Sequence, residues 1–243
     1  MKLGILTAIW GRPQLTKIYL NRMKYLQEKY GIVCVCVGSE NQFTQECLDR
    51  GIIYTDYNNK PVSNKWNHGM LSFRDIDIDH VMIMGSDDFA SDSFYEYVMD
   101  MIKGKDFTGC HDLYIYGARK GRRGFGQLFY FTYTGYVIGP GRCYSKRILK
   151  MMDFTPWDDG RNAGLDGSIA RNVKRLGGTV VRKSFGMKEE GLFLVDIKTT
   201  NNISSVPGAA KPYEKDFKQL LIDNIPSNEA QDIISHLTEI GAL

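Results

Sequence analysis

The chain has 243 residues, a formal charge of +3 and 24% charged residues, which is length enough for one full α/β core and too mild a charge for a surface that is wholly a nucleic-acid footprint. Its five cysteines include Cys34 and Cys36 inside an apolar run, with no Cys/His pair at zinc spacing, so buried reduced thiols are expected. No stretch of about 18 apolar residues is present, and the N-terminal apolar run is too short for a signal peptide, so the expectation is a cytoplasmic protein without a membrane span.

Residues 3–9 read as a first strand. After Gly11-Arg12-Pro13, the apolar positions Leu15, Ile18, Tyr19, Met23 and Leu26 recur at three and four, which predicts a helix stopped by Gly31. A strand over 32–37, a short helix over 44–50, a strand over 52–54 and a helix over 64–73 follow. The run His80-Val81-Met82-Ile83-Met84 is a fourth strand, ending at Gly85-Ser86-Asp87-Asp88. Strands and helices alternating on short connections predict βαβ units and a mainly parallel sheet.

Ser91 opens a helix to residue 102, with Phe94, Tyr95, Val98, Met99 and Ile102 on one face. A strand over 113–116, a basic glycine-rich loop over 117–126 and a long aromatic strand over 128–138 then read as antiparallel additions to the same sheet. A helix over 144–152 leads into an irregular segment, and a helix over 165–176 ends at Gly177-Gly178. Strands over 179–182 and 193–197 and a polar loop to residue 212 come next. Two amphipathic helices, 213–222 and 227–240, close the chain. The expected organisation is one domain over 1–205 and a short C-terminal helical appendage over 206–243.

Two adjacent carboxylates, Asp87 and Asp88, stand at the end of an apolar strand with no Lys or Arg within several residues. Carboxyl ends of strands are where open α/β sheets bind ligands, and paired carboxylates there suit a hard divalent cation that grips a diphosphate. The plainer alternative is a helix cap followed by a solvated acid. Lys198, just past a strand end in Lys198-Thr199-Thr200-Asn201-Asn202, either reaches that diphosphate or is solvated. Trp157 is either core or a platform for a sugar ring.

Four segments together resemble GT-A-fold glycosyltransferases, the nucleotide-sugar-dependent type: Thr7-Ala8-Ile9-Trp10-Gly11-Arg12-Pro13, Lys65-Trp66-Asn67-His68-Gly69, Ser86-Asp87-Asp88 and Gly164-Leu165-Asp166-Gly167-Ser168. The resemblance covers residues 1 to about 200 and implies a single Rossmann-like domain with a mixed, mainly parallel sheet. It implies a nucleotide-diphosphate sugar as donor, a UDP-sugar favoured, held by Thr7, Ala8, Trp10, Arg12, Lys65, Asn67, Asp87 and Lys198. It places Mn²⁺ or Mg²⁺ on Asp88, with Asp87 on the ribose or on a metal-bound water. Ser86 departs from the family signature, which has an acid there. Asp166 resembles the base that takes the acceptor hydroxyl proton in inverting relatives, with Asp158 and Asp159 as rivals; the bare residues also permit a first-turn acid favoured by the helix dipole.

Small stand-alone relatives of this type act on polysaccharides, proteins, small molecules and, in some bacteriophages, hydroxymethylated bases in DNA. Arg119, Lys120, Arg122 and Arg123, followed by Phe125, Phe129, Tyr130, Phe131, Tyr133 and Tyr136, mix charge with stacking surface. That pattern is either a polyanion contact, which favours a DNA acceptor and a host cytoplasm, or a solvated loop before a core strand. A non-catalytic nucleotide- or saccharide-binding protein on the same fold is the rival reading. A nucleotidyltransferase is disfavoured, since Trp10-Gly11-Arg12-Pro13 lacks the glycine-rich phosphate loop.

Overall fold

The computed structural model describes residues 1–199 and 205–243; Thr200, Asn201 and Asn202 of the expected polar loop lie outside the described residues. The first half follows the expected order: β1 (Leu3–Ala8), α1 (Pro13–Tyr30), β2 (Val33–Gly38), α2 (Thr44–Leu48), β3 (Ile53–Asp56), α3 (Val62–Leu71) and β4 (His80–Ile83). Pro13 starts α1, where its missing N–H is no loss, and Gly31 ends it at φ 65° with its N–H on the Gln27 carbonyl. β1 pairs in parallel with β2 on one side and β4 on the other, and β2 with β3.

The second half runs β5 (Asp88–Ala90), α4 (Asp92–Met101), β6 (Phe107–Cys110), β7 (Asp112–Gly117), β8 (Gln127–Thr132), β9 (Arg142–Ser145), α5 (Lys146–Met151), α6 (Leu165–Arg175), β10 (Arg182–Phe185), β11 (Leu194–Lys198), β12 (Lys211–Pro212), α7 (Phe217–Asn224) and α8 (Ser227–Glu239). Two sheets result. The larger has seven strands in the order β10-β6-β9-β4-β1-β2-β3, and the smaller has five, β12-β8-β7-β11-β5. The larger sheet is mixed and mainly parallel, with β9 the antiparallel member between β4 and β6.

Strand alternation puts the core on both faces of the larger sheet. Ile5, Cys34, Cys36 and Met82 point into one cluster with Leu15, Tyr19 and Met23 of α1. Their neighbours Leu6, Val35, Val37 and Ile83 point into another with Met70 of α3 and Ile148 of α5. Each such buried aliphatic side chain contributes roughly 1.5–3 kcal/mol. Cys34 and Cys36 pack on Met23 as free thiols, as their spacing predicted.

Several expectations are corrected. Residues 113–138 do not extend the main sheet, because β9 already occupies the place beside β4; β7 and β8 pair instead with β11 and β12 in the second sheet. The long aromatic strand ends at Thr132, ahead of Thr134-Gly135, and the start of the expected helix 144–152 is the buried strand β9. Arg142 disguises that strand, being a charge inside it. β5 and β6 were not anticipated, and the strand expected at 179–182 lies at Arg182–Phe185.

The C-terminal helices cover the second sheet. The Tyr116 ring stacks on Phe217 at 4.0 Å, and Leu221, Ile233 and Leu237 join the same cluster as β1 and α1. Arg22 of α1, fully buried, meets Asp92 at 2.7 Å and Glu229 of α8 at 3.4 Å. Among the described residues no helix is long and apolar enough to cross a membrane.

Candidate active site

The chain leaves β4 at Ile83, turns at Gly85–Asp87 and enters β5 at Asp88, which stands opposite Asp196 of β11 in antiparallel register. A Cβ on Gly85 would lie 2.6 Å from a carboxylate oxygen of Asp87 and 2.7 Å from one of Asp88. Glycine is therefore required for both acids to close on the turn. One carboxylate oxygen from each of Asp87, Asp88 and Asp196 lies within 4.8 Å of the others, and all three residues are buried. Burial, with Asp196 and Asp87 adding repulsion, pushes Asp88 well above the usual carboxylate range. Burial also pushes Asp196 up to about 6, against the pull of Lys198.

The acidic pair is not without cations, contrary to the sequence expectation. Arg12 places Nη1 2.7 Å from Asp87 and donates from Nη2 to the Ser86 hydroxyl at 2.9 Å, and Lys198 pairs with Asp196. Arg12 does this from a left-handed backbone, φ 49°, a conformation that costs a non-glycine residue about 1–3 kcal/mol and concentrates at functional sites. Ser86, fully buried, thus serves as the acceptor for Arg12. Three carboxylates thus share two cations, Arg12 and Lys198.

Above this floor opens a cavity of about 390 Å³ whose wall includes Ala8, Trp10, Arg12, Lys65, Trp66 and Lys198. Lys65 donates to the Ile9 carbonyl at 2.8 Å and to the Asn59 side chain at 3.1 Å. Burial lowers its pKa to about 8. Two expected donor residues lie elsewhere. Thr7 alternates inward on β1 and shares a 3.0 Å hydrogen bond with the Tyr19 hydroxyl. Asn67 donates to the Trp157 carbonyl at 2.9 Å and accepts from its N–H at 3.1 Å, pinning the 155–164 segment to α3. Trp157 itself is core, 4% exposed; the tryptophans on the cavity wall are Trp10 and Trp66, the latter with its ring centroid 5.7 Å from that of Trp157.

A second cavity of about 350 Å³ adjoins the first through Pro140, Asp196 and Lys198, and is lined by Leu113, Ile115, Phe131, Tyr133 and Asp166. The Asp166 carboxylate is 44% exposed and ion-paired with buried Arg142. Arg142 also donates to the Ile138 carbonyl at 3.1 Å, so it ties the strap carrying Pro140 to the start of α6. Asp158 is occupied by Arg171 at 2.8 Å and Arg161 at 3.1 Å; Arg171 and Asn172 hold it below the usual range. Asp159 meets Asn67 at 3.3 Å. Of the three candidate bases, Asp166 is the one on the cavity wall.

Sequence reasoning missed Asp196, Trp66 and Pro140. Asp196 carried a readable signal: a lone acid within the apolar run Phe193-Leu194-Val195-Asp196-Ile197, two residues from Lys198 and so on the same strand face. Pro140 carried none.

No protein-family model matches the chain, and no curated protein matches it by sequence. Among solved structures, TarS of S. aureus superposes with a TM-score of 0.53 at 11% identity, over 98% of this chain and 43% of that one. The 4-diphosphocytidyl-2C-methyl-D-erythritol synthase of Anaerococcus prevotii gives 0.48 at 10% identity, over 76% of this chain and 86% of that one. HddC of Yersinia pseudotuberculosis gives 0.48 at 14% identity, over 80% and 92%. The fold is of the GT-A type, a Rossmann-like α/β domain like that of TarS. This chain spans less than half the length of TarS.

Proposed function

We propose that the protein is a divalent-cation-dependent glycosyltransferase that moves a sugar from a nucleotide-diphosphate donor to an acceptor hydroxyl. The observation that carries the reading is the convergence of Asp87, Asp88 and Asp196 beneath a cavity walled by Trp10, Arg12 and Lys65. An all-oxygen set with one buried oxygen of Asp196 lacking a hydrogen-bond partner fits Mn²⁺ or Mg²⁺. Asp88 and Asp196 would hold the cation, while Asp87, already gripped by Arg12, orients the ribose or a coordinated water. When bound, the cation stabilises as a Lewis acid the charge that develops on the leaving diphosphate.

The chain's own groups supply the rest. Arg12 and Lys65 offer charge-assisted donors to phosphate oxygens, and Trp10, 37% exposed, offers a flat face to the base. Asp166 takes the acceptor hydroxyl proton from the second cavity, and attack from that side inverts the anomeric centre. TarS, on the same fold, is a glycosyltransferase. Hydroxyls on a saccharide, a protein or a hydroxymethylated base of DNA all satisfy this chemistry.

The test is release of nucleoside diphosphate from a panel of nucleotide sugars, UDP-sugars first, with and without chelator. Chelator-sensitive release supports the reading. Donor binding without turnover on any acceptor would leave the non-catalytic binding protein instead.

A further inference from the structure

One face of the smaller sheet runs from acid to base. Across it, Asp88 of β5 pairs with Asp196 of β11, which pairs with Ile115 of β7. Along β7 the same face carries Leu113, Ile115 and then Gly117, beside Lys198. Leu113 lies opposite Phe131 of β8, and Phe131 and Tyr133, each half-buried, expose part of their rings to the second cavity. Past Gly117 the basic loop folds back tightly: a Cβ on Gly117 would lie 2.1 Å from the Gly124 carbonyl oxygen. Arg123 pins the loop by donating to the Pro207 and Ala210 carbonyls at 2.8 and 3.2 Å. Arg119 and Arg122 are not on the wall of the second cavity but line a separate small cleft with Gly117 and Lys198, and Lys198 is common to both; the side chains of the two arginines make no hydrogen bond or ion pair among the described residues.

We propose that the acceptor is a nucleotide unit of a single-stranded nucleic acid, its unstacked base lying on Phe131 and Tyr133 in the second cavity and neighbouring phosphates lying on Arg119 and Arg122. The inference rests on the transferase reading above. Aromatic rings beside unpartnered arginines are the elements that hold a single strand, rings for the bases and cations for the backbone. The charge gradient sets the orientation. Arg119 and Arg122 draw the phosphates to the Gly117 end, and the apolar and aromatic wall of Leu113, Phe131 and Tyr133 takes the base. The distance sets the length. Leu113 to Gly117 spans about 13 Å, beyond the reach of a base to its own phosphate, so the arginines meet flanking nucleotides of a strand. A duplex cannot present its base this way without extruding it.

The experiment titrates the full-length protein with a fluorescent single-stranded oligonucleotide, its duplex and a mononucleotide over a range of salt, and separately with a nucleoside diphosphate and Mn²⁺. Expected are strand affinity above that of duplex and mononucleotide, and a salt slope that falls by about 1.4 units in Arg119→Gln/Arg122→Gln. Phe131→Ala and Tyr133→Ala should each weaken the strand by roughly 5- to 150-fold, and Tyr133→Phe should recover most of that loss, which separates stacking from misfolding. Equal affinity for mononucleotide and strand, or a salt slope unchanged by the arginine substitutions, overturns the inference. Nucleoside diphosphate binding with no oligonucleotide binding overturns it too and leaves the donor reading standing. Loss of nucleoside diphosphate binding by the wild type removes the donor reading itself.

Discussion

Asp88 and Asp196 face each other across the antiparallel ladder of β5 and β11, the Asp196 carboxylate paired with Lys198 and that of Asp88 accepting from the Gly85 N–H. Two carboxylates from segments more than a hundred residues apart are thus fixed at one spacing before any ligand arrives. Asp87 joins them from the turn that Gly85 permits.

Replacing Asp196 by Asn keeps size and the ladder but removes one negative charge from the cluster. Turnover should fall by at least about 10²-fold, the scale of losing one group that stabilises charge in a transition state, and cation-assisted donor binding should weaken with it. Isothermal titration of donor with and without Mn²⁺ checks this. Wild-type cation dependence in the variant would remove Asp196 from the site.

Asp166→Asn retains a partner for Arg142 while removing the proton acceptor. A drop of about 10²- to 10⁴-fold in kcat with donor affinity unchanged is expected. A product that retains the donor's anomeric configuration would exclude this role for Asp166 whatever the variant does.

Lys65 has its pKa lowered to about 8 by burial, so its ammonium is present below that pH and lost above it. Nucleoside diphosphate affinity should therefore decline as pH rises through about 8 in the wild type and lose that limb in Lys65→Met. Persistence of the limb in the variant would assign it to another group.

Glu229 concerns stability. Burial raises its pKa to about 7 from the ordinary glutamate value of 4.5, with Arg22 opposing and Asp92 adding to the shift. A folded-state pKa above the unfolded one means the native state holds the proton more tightly, so stability falls as pH rises between those two values. Glu229→Gln should flatten the dependence of the urea midpoint on pH from 5 to 8, by a few kcal/mol in total. Arg22→Met should cost about 3–5 kcal/mol at pH 8, because it leaves the buried Glu229 carboxylate without its guanidinium, while half-buried Asp92 keeps Lys29 and Tyr25.

Local chemistry was enough for the parallel half of the fold. Periodicity, Pro13 and Gly31 delimit α1, and an apolar run breaking at Gly85 places Asp87 and Asp88 at a strand end, because each signal acts within a few residues. Long-range pairing decided the rest. That the 113–138 region builds a second sheet depends on β9 taking the place beside β4, and β9 hides behind Arg142, whose charge is met by Asp166 of α6, 24 positions on, besides the nearby Val137 and Ile138 carbonyls and Tyr144 hydroxyl. Arg12 reaches Asp87 across 75 positions of sequence, and Asp196 reaches Asp88 across 108; a local reading of either acid shows no partner. Thr7 and Asn67 lie off the cavity wall because Tyr19, 12 positions on, and Trp157, 90 positions on, claim their side chains once the chain is folded. Residue type could announce that carboxylates and cations were present, but which charge neutralises which is settled by the ladder that brings them together.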